Sequence, residues 1–175
     1  MTSQDGKMSE STKTGVATPA LKLSADAEAR IDDLQSRYPT KKATLLPVLW
    51  EIQNSEGWIS TEWMEYAARR CDVTPSHVLS VVTFYTMFHQ QPVGKYHVQV
   101  CRNICCHMVG APDLIEAVES RLGLKHGEVS EDGKFSLEHV ECLAACSWGP
   151  VMQINRTMHE NLTPEAAVKV LDGLE

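Results

Sequence analysis

Four cysteines in the second half of this 175-residue chain stand in two close pairs, Cys101-x4-Cys106 and Cys142-x3-Cys146. Thiolates bind metals and carry redox chemistry, so two such pairs point to a metal centre. A 2Fe–2S cluster takes four thiolates, two on each iron, and its sulfurs accept hydrogen bonds that tune its potential. A structural zinc ion also takes four thiolates, from pairs spaced much as these are. The plant-type C-x4-C-x2-C arrangement is absent, because position 109 is valine. No C-x-x-C dithiol of the thioredoxin kind occurs. Spacing alone therefore leaves the cluster and zinc both open.

The remaining candidates have plainer readings. Cys71 lies on an apolar helical face and should behave as a small buried hydrophobe. His107 follows a candidate ligand, but a Rieske centre needs two histidines in place of two cysteines. His77, His89, His97, His126, His139 and His159 have no metal spacing and are expected at the surface or hydrogen-bonded. Ala144, Ala145, Ser147 and Gly149 are small and let the backbone approach a cluster closely. Trp148, beside Cys146, fits either a shield for the site or a core residue.

Each cysteine pair must be delivered by the elements before it. Tyr96, Val98 and Val100 alternate with polar residues, which predicts a strand running into Cys101. After the Asp132-Gly133 turn a second strand, about Phe135 to Glu141, runs into Cys142, so both pairs are expected on loops at strand ends. Pro112 opens a helix carrying Leu114, Ile115, Val118 and Leu122. Val151 to Asn155 predicts a short strand paired with Thr157 to Glu160, and Thr163-Pro164 caps a last helix. This order predicts a small sheet covered by helices, an α/β ferredoxin of thioredoxin-like build over 92–175.

The preceding segment, 25–91, has a different grammar. Ile31 and Leu34 begin an apolar face that Pro39 stops. Leu45, Leu46, Val48, Leu49 and Ile52 give a second helix that ends by Gly57. Ser60 caps a third with Met64, Ala67, Ala68 and Cys71 on one face, and Thr74-Pro75 opens a fourth with Val78, Val81, Val82 and Tyr85. Phe84, Tyr85 and Phe88 read as aromatic core. Four amphipathic helices with short links predict a helical bundle. Residues 1–24, rich in Ser, Thr and Lys, are expected to be a disordered tail.

Composition narrows function further. A net charge of −7 argues against nucleic acid as a partner. No run approaches the roughly 18 apolar residues of a membrane span, and the start has no apolar leader, so we expect an unexported protein without direct membrane insertion. Neither a G-x-G-x-x-G nor a phosphate loop occurs, so NADH and flavin are not expected on this chain, nor catalysis from it alone.

The runs YPTKKATLLPVLWEIQNSEGWIS, VVTFYTMFHQQPVGKYHVQVC and ECLAACSWGPVMQIN resemble the NuoE-type subunit of NADH:quinone oxidoreductase, respiratory complex I. The likeness spans about residues 25–174. It implies a helical bundle followed by a thioredoxin-like domain whose 2Fe–2S cluster is held by C-x4-C and a later C-x3-C, here Cys101, Cys106, Cys142 and Cys146. It also implies a peripheral place at the cytoplasmic membrane through the complex. The neighbours would be an FMN- and NADH-binding flavoprotein of the NuoF type and other peripheral-arm subunits, with single electrons exchanged between flavin and cluster. A soluble NAD-linked hydrogenase or formate dehydrogenase would use an equivalent subunit, and a zinc-stabilised module without redox activity is the alternative of another class. The chain departs from the pattern at Leu143-Ala144, where the family often has Leu-Gly, and at Gly149-Pro150, where it often has Ala-Pro. A local backbone shift is expected there. Cys105 also stands where the family usually has another residue, and the pattern selects Cys106 as the ligand.

Overall fold

Ser24 accepts a hydrogen bond from the Ala27 N–H at 3.3 Å, which caps the helix α1, Ala25–Ser36. The computed structural model describes residues 21–174, so the tail expected over 1–24 lies outside them as far as residue 20. Its last residues belong to the folded part: Leu23 is buried and Leu21 packs against the same core.

The helical half follows its caps. A 3-10 turn, Lys41–Thr44, leads into α2, Leu45–Glu56, which Gly57 closes at φ 85°. Ser60 caps α3, Thr61–Cys71, through the Trp63 N–H, and Thr74 caps α4, Pro75–Phe84, through His77. Ile31, Leu49, Ile52, Ile59 and Val78 are fully enclosed in the core between these helices. Burying a side chain of this size contributes about 1.5–3 kcal/mol. Cys71 lies among them as expected, 3.8 Å from the Thr44 hydroxyl.

Phe84 departs from the reading. Helical spacing predicted core, yet the ring is 76% exposed, because α4 ends at this residue and Tyr85 turns to an extended conformation. Phe88 does enter the core, packing on Trp50 at 5.4 Å between ring centroids.

The second half is a four-stranded sheet in the order β2-β1-β3-β4. β1, Tyr96–Cys101, pairs in parallel with β2, Phe135–Val140, and antiparallel with β3, Met152–Ile154. β4, Thr157–His159, closes the edge. Parallel neighbours need a crossover, supplied by α6, Ala111–Leu122. α6 and α7, Pro164–Asp172, pack together, and Val98, Val100, Leu137, Met152 and Ile154 bury against them. One element was not expected. The first cysteine loop contains a short helix α5, Ile104–Met108.

The opposite face of β1 and β2 is polar and turns toward the helical half. His97 Nδ1 lies 2.8 Å from Ser136 Oγ and its Nε2 3.2 Å from Glu138 Oε2, so this buried histidine is satisfied. His89 meets it edge to face at 4.7 Å. Arg156 donates to Asn54 at 2.9 Å and lies over the Trp50 ring. Each half keeps its own apolar core, and this polar seam joins them.

Candidate metal centre

Parallel pairing decides where the cysteines go. Cys101, the last residue of β1, stands in register with Val140, the last of β2. Both strands therefore end at the same edge, and the chain reaches Cys142 two residues past Val140. Arg102 and Glu141, next to the two cysteines, pair between Nε and Oε1 at 2.9 Å. The Cys101 thiol points at the Glu141 carbonyl, 3.8 Å away.

Asn103 explains the unexpected helix. Its side-chain oxygen accepts the Ile104 N–H at 2.8 Å and turns the chain into α5. The Cys106 side chain then enters a small core with Cys101, Ala111 and Val151, leaving Cys106 only 1% exposed. Burial, and then the Cys101 thiol, push the Cys106 thiol up to about 11, while a hydrogen bond with the Val151 backbone acts the other way. Bound iron would replace that proton, since metal ligation requires the thiolate.

Ala144 shapes the second loop. It adopts φ 60°, a left-handed conformation that glycine takes without strain. No other residue between Cys142 and Cys146 has a positive φ. The left-handed turn places the Ala144 N–H 3.3 Å from the Cys142 sulfur, which accepts its hydrogen bond. A 3-10 turn, Cys146–Trp148, then carries Cys146 back toward α5. The Cys146 thiol is pushed up chiefly by hydrogen bonding with Cys105, and next by Cys142.

The four sequence-selected cysteines thus come together at one edge, in two pairs. Cys101 and Cys106 are buried, whereas Cys142 and Cys146 are exposed. Cys105, which the pattern set aside, is exposed as well. The donor set fits a 2Fe–2S group: thiols in pairs, a backbone N–H already aimed at a sulfur, and Gly149 where a Cβ would fall 3.3 Å from the Cys106 sulfur. Among the described residues, no three His, Cys, Asp or Glu side chains gather around a single ion position.

The rim is apolar. Ile104, Met108 and Val109 on and after α5, and Trp148 beside Cys146, are all more than half exposed. Trp148 is therefore a rim residue, not core. His107 is exposed beside the site. Away from it, His126 stacks on His139, whose Nε2 is buried without a hydrogen bond, 3.4 Å from Glu119 Oε1. No described helix is long and apolar enough to cross a membrane.

The model of the thioredoxin-like 2Fe-2S ferredoxin family matches residues 31–175. The E subunit of NADH-quinone oxidoreductase from Rickettsia bellii is 40% identical over 146 residues, which span 82% of this chain and 87% of that protein. NADH-quinone oxidoreductase subunit 2 of Thermus thermophilus is 36% identical over 83% of this chain and 82% of its own length. The E subunit from Mycobacterium tuberculosis is 33% identical, and this chain spans 60% of it. Among solved structures, NAD+-reducing NiFe-hydrogenase in the H2-reduced state superposes with a TM-score of 0.64 over 75% of this chain and 22% of the hydrogenase chain. At 15% identity that likeness shows the fold alone.

Proposed function

The chain belongs to the thioredoxin-like 2Fe-2S ferredoxin family, and from that premise we propose that it is the electron-transfer subunit of an NADH:quinone oxidoreductase, with Cys101, Cys106, Cys142 and Cys146 holding one 2Fe–2S cluster. The observation that carries the site is the register of Cys101 with Val140, which brings both cysteine loops to one edge of the sheet. The NADH-quinone oxidoreductase relatives, at 33–40% identity, support the parent complex.

When bound, the cluster supplies a one-electron store next to a two-electron flavin. The rest belongs to this chain's own residues. Cys101 and Cys106, enclosed by Ala111 and Val151, keep water from one side of the group. Cys142 and Cys146 face outward, where solvent and the Ala144 N–H offset added negative charge. The exposed rim of Ile104, Met108, Val109 and Trp148 gives a partner an apolar surface beside the outward thiols. That partner, in our reading, is the flavoprotein that binds FMN and NADH, and the helical half helps to grip it. The chain carries no nucleotide fingerprint, so the hydride step falls to the partner, and membrane association comes through the complex.

Chemical analysis of anaerobically prepared protein tests the site: two irons and two acid-labile sulfides per chain, with an EPR signal only after reduction. Stoichiometric zinc without labile sulfide would replace the reading with the zinc module. A second measurement addresses the division of labour: the isolated chain should stay oxidised with NADH and become reduced once the flavoprotein is added.

A further inference from the structure

We propose that Arg102 and Glu141 form a charge clasp beside the cluster, which fastens the two cysteine loops to each other and sets the potential of the group they hold. The inference rests on the cluster reading above and goes beyond it, because it assigns a role to two residues that ligate nothing.

The strands bring the two side chains together. Parallel pairing sets Cys101 against Val140, so the next residues, Arg102 and Glu141, follow side by side. The Arg102 N–H donates to the Val140 carbonyl at 2.9 Å. Past that rung, no backbone hydrogen bond among the described residues joins 103–110 to 141–149. The guanidinium makes the connection instead, donating to Glu141 Oε1 through Nε, at 2.9 Å, and through Nη2. A rigid fork of donors fixes direction as well as distance, which an ammonium does not.

Charge gives the pair its second effect. No other Lys, Arg, Asp or Glu occurs in residues 101–110 or 141–150. Arg102 follows Cys101 of the buried pair, and Glu141 precedes Cys142 of the exposed pair, so each charge adjoins a different pair of ligands. The two side chains are 56% and 70% exposed, so water screens them and their bond adds little to the stability of the fold. A group that gains negative charge on reduction still responds to both. Arg102 favours the reduced form and Glu141 the oxidised form, and as a pair they largely cancel. Reduction adds one electron from the reductant and breaks no bond.

The test uses the full chain with its cluster as wild type, Arg102→Gln, Glu141→Gln, Arg102→Lys and the exchanged variant Arg102→Glu/Glu141→Arg. A mediated redox titration followed by EPR gives the midpoint potential. Iron loss to a chelator gives the lability of the cluster, and circular dichroism reports folding. Arg102→Gln should lower the potential and Glu141→Gln should raise it, both by less at high salt. Both should release iron several times faster than wild type. Arg102→Lys keeps the charge without the fork, so its potential should stay near that of wild type while its iron leaves faster. The exchanged variant should recover slow release. Glutamine variants that move the potential in the same direction, or that release iron at the wild-type rate, overturn the proposal. Should a glutamine variant misfold, the other two decide: slow release from Arg102→Lys with fast release from the exchanged variant sinks the clasp. A wild type that binds no iron fails the cluster reading itself, while a loaded wild type matched by all its variants fails only this inference.

Discussion

Gly149 lies against Cys106 so closely that a Cβ on it would fall 3.3 Å from the cysteine sulfur and 3.0 Å from a methyl of Val109. Val109 is more than half exposed and gives way easily; Cys106 is enclosed and does not. Gly149→Ala should therefore displace the sulfur by a few tenths of an ångström. We expect near-normal iron content, a shifted visible and EPR spectrum, and a stability loss of about 1 kcal/mol. An unchanged spectrum with full cluster content would show that Cys106 does not bind the metal in this position.

Gly94 guards the start of β2 in the same way, with less tolerance. A Cβ there would stand 2.4 Å from the Phe135 carbonyl carbon and 2.7 Å from the Ser136 nitrogen, both backbone atoms. The Gly94 N–H also donates to Ser136 Oγ at 3.0 Å. Gly94→Ala should lower stability by ~3 kcal/mol, since a strand must move to relieve the clash. A denaturation midpoint within error of wild type would contradict the close approach.

Ala144→Gly should have the opposite sign. A left-handed residue with a Cβ costs roughly 1–2 kcal/mol, and glycine removes that cost at the expense of a freer unfolded chain. The net gain is up to about 1 kcal/mol, with the Ala144 N–H still on the Cys142 sulfur. Ala144→Val should lose stability, because a β-branched residue tolerates φ 60° poorly. Equal thermal midpoints for all three proteins would remove the strain argument.

Acid should loosen the seam between the halves. Burial, and then neighbouring His97, hold His89 below the ordinary histidine value of 6.5, and Glu138 opposes them weakly. A depressed histidine contributes stability that is fully present above 6.5 and is lost as pH falls through its lower folded value. Glu138, held below the usual carboxylate range by its bond from His97, loses its own contribution only below about 4.5. Stability measured from pH 7.5 down to 5.5 should therefore fall in wild type and fall less in His89→Gln. An identical pH profile for the two would locate the acid sensitivity elsewhere.

Much of this was legible in the sequence because it rests on local chemistry. Ser60, Thr74-Pro75 and Thr163-Pro164 mark helix starts by supplying an acceptor and a residue without an N–H. The alternation of Tyr96, Val98 and Val100 marks a strand by its period. Strand order is not local: nothing in β1 or β2 alone says that they lie parallel and adjacent, which is what gathers the cysteines. α5 has five residues, too few for a helical period, and only Asn103 could have signalled it. Without that helix the exposure of Cys105 beside a buried Cys106 could not be read. Phe84 misled because spacing assumes that a helix continues, and α4 ends there.

The exposed apolar residues give two candidate grips on the flavoprotein partner that we propose. Ile104, Met108, Val109 and Trp148 surround the cysteine edge, while Leu79, Phe84 and Met87 lie on and after α4 in the helical half. Electron exchange depends on distance, so a partner must approach the cysteine edge whatever the helices do. Met108, 79% exposed, and Leu79, 46% exposed, mark the two places, and both can take a charge without disturbing either core. Met108→Glu and Leu79→Glu change net charge equally, so any difference between them reports position alone. Both should keep full iron and sulfide. NADH-driven reduction through the flavoprotein should slow by about tenfold in Met108→Glu, as expected when a central contact worth roughly 1.4 kcal/mol is lost. Leu79→Glu should weaken pull-down of the flavoprotein with a smaller effect on the rate at saturating partner. If Met108→Glu transfers electrons at the wild-type rate, the apolar rim is not the docking edge, and the flavin approaches the exposed thiols from another side.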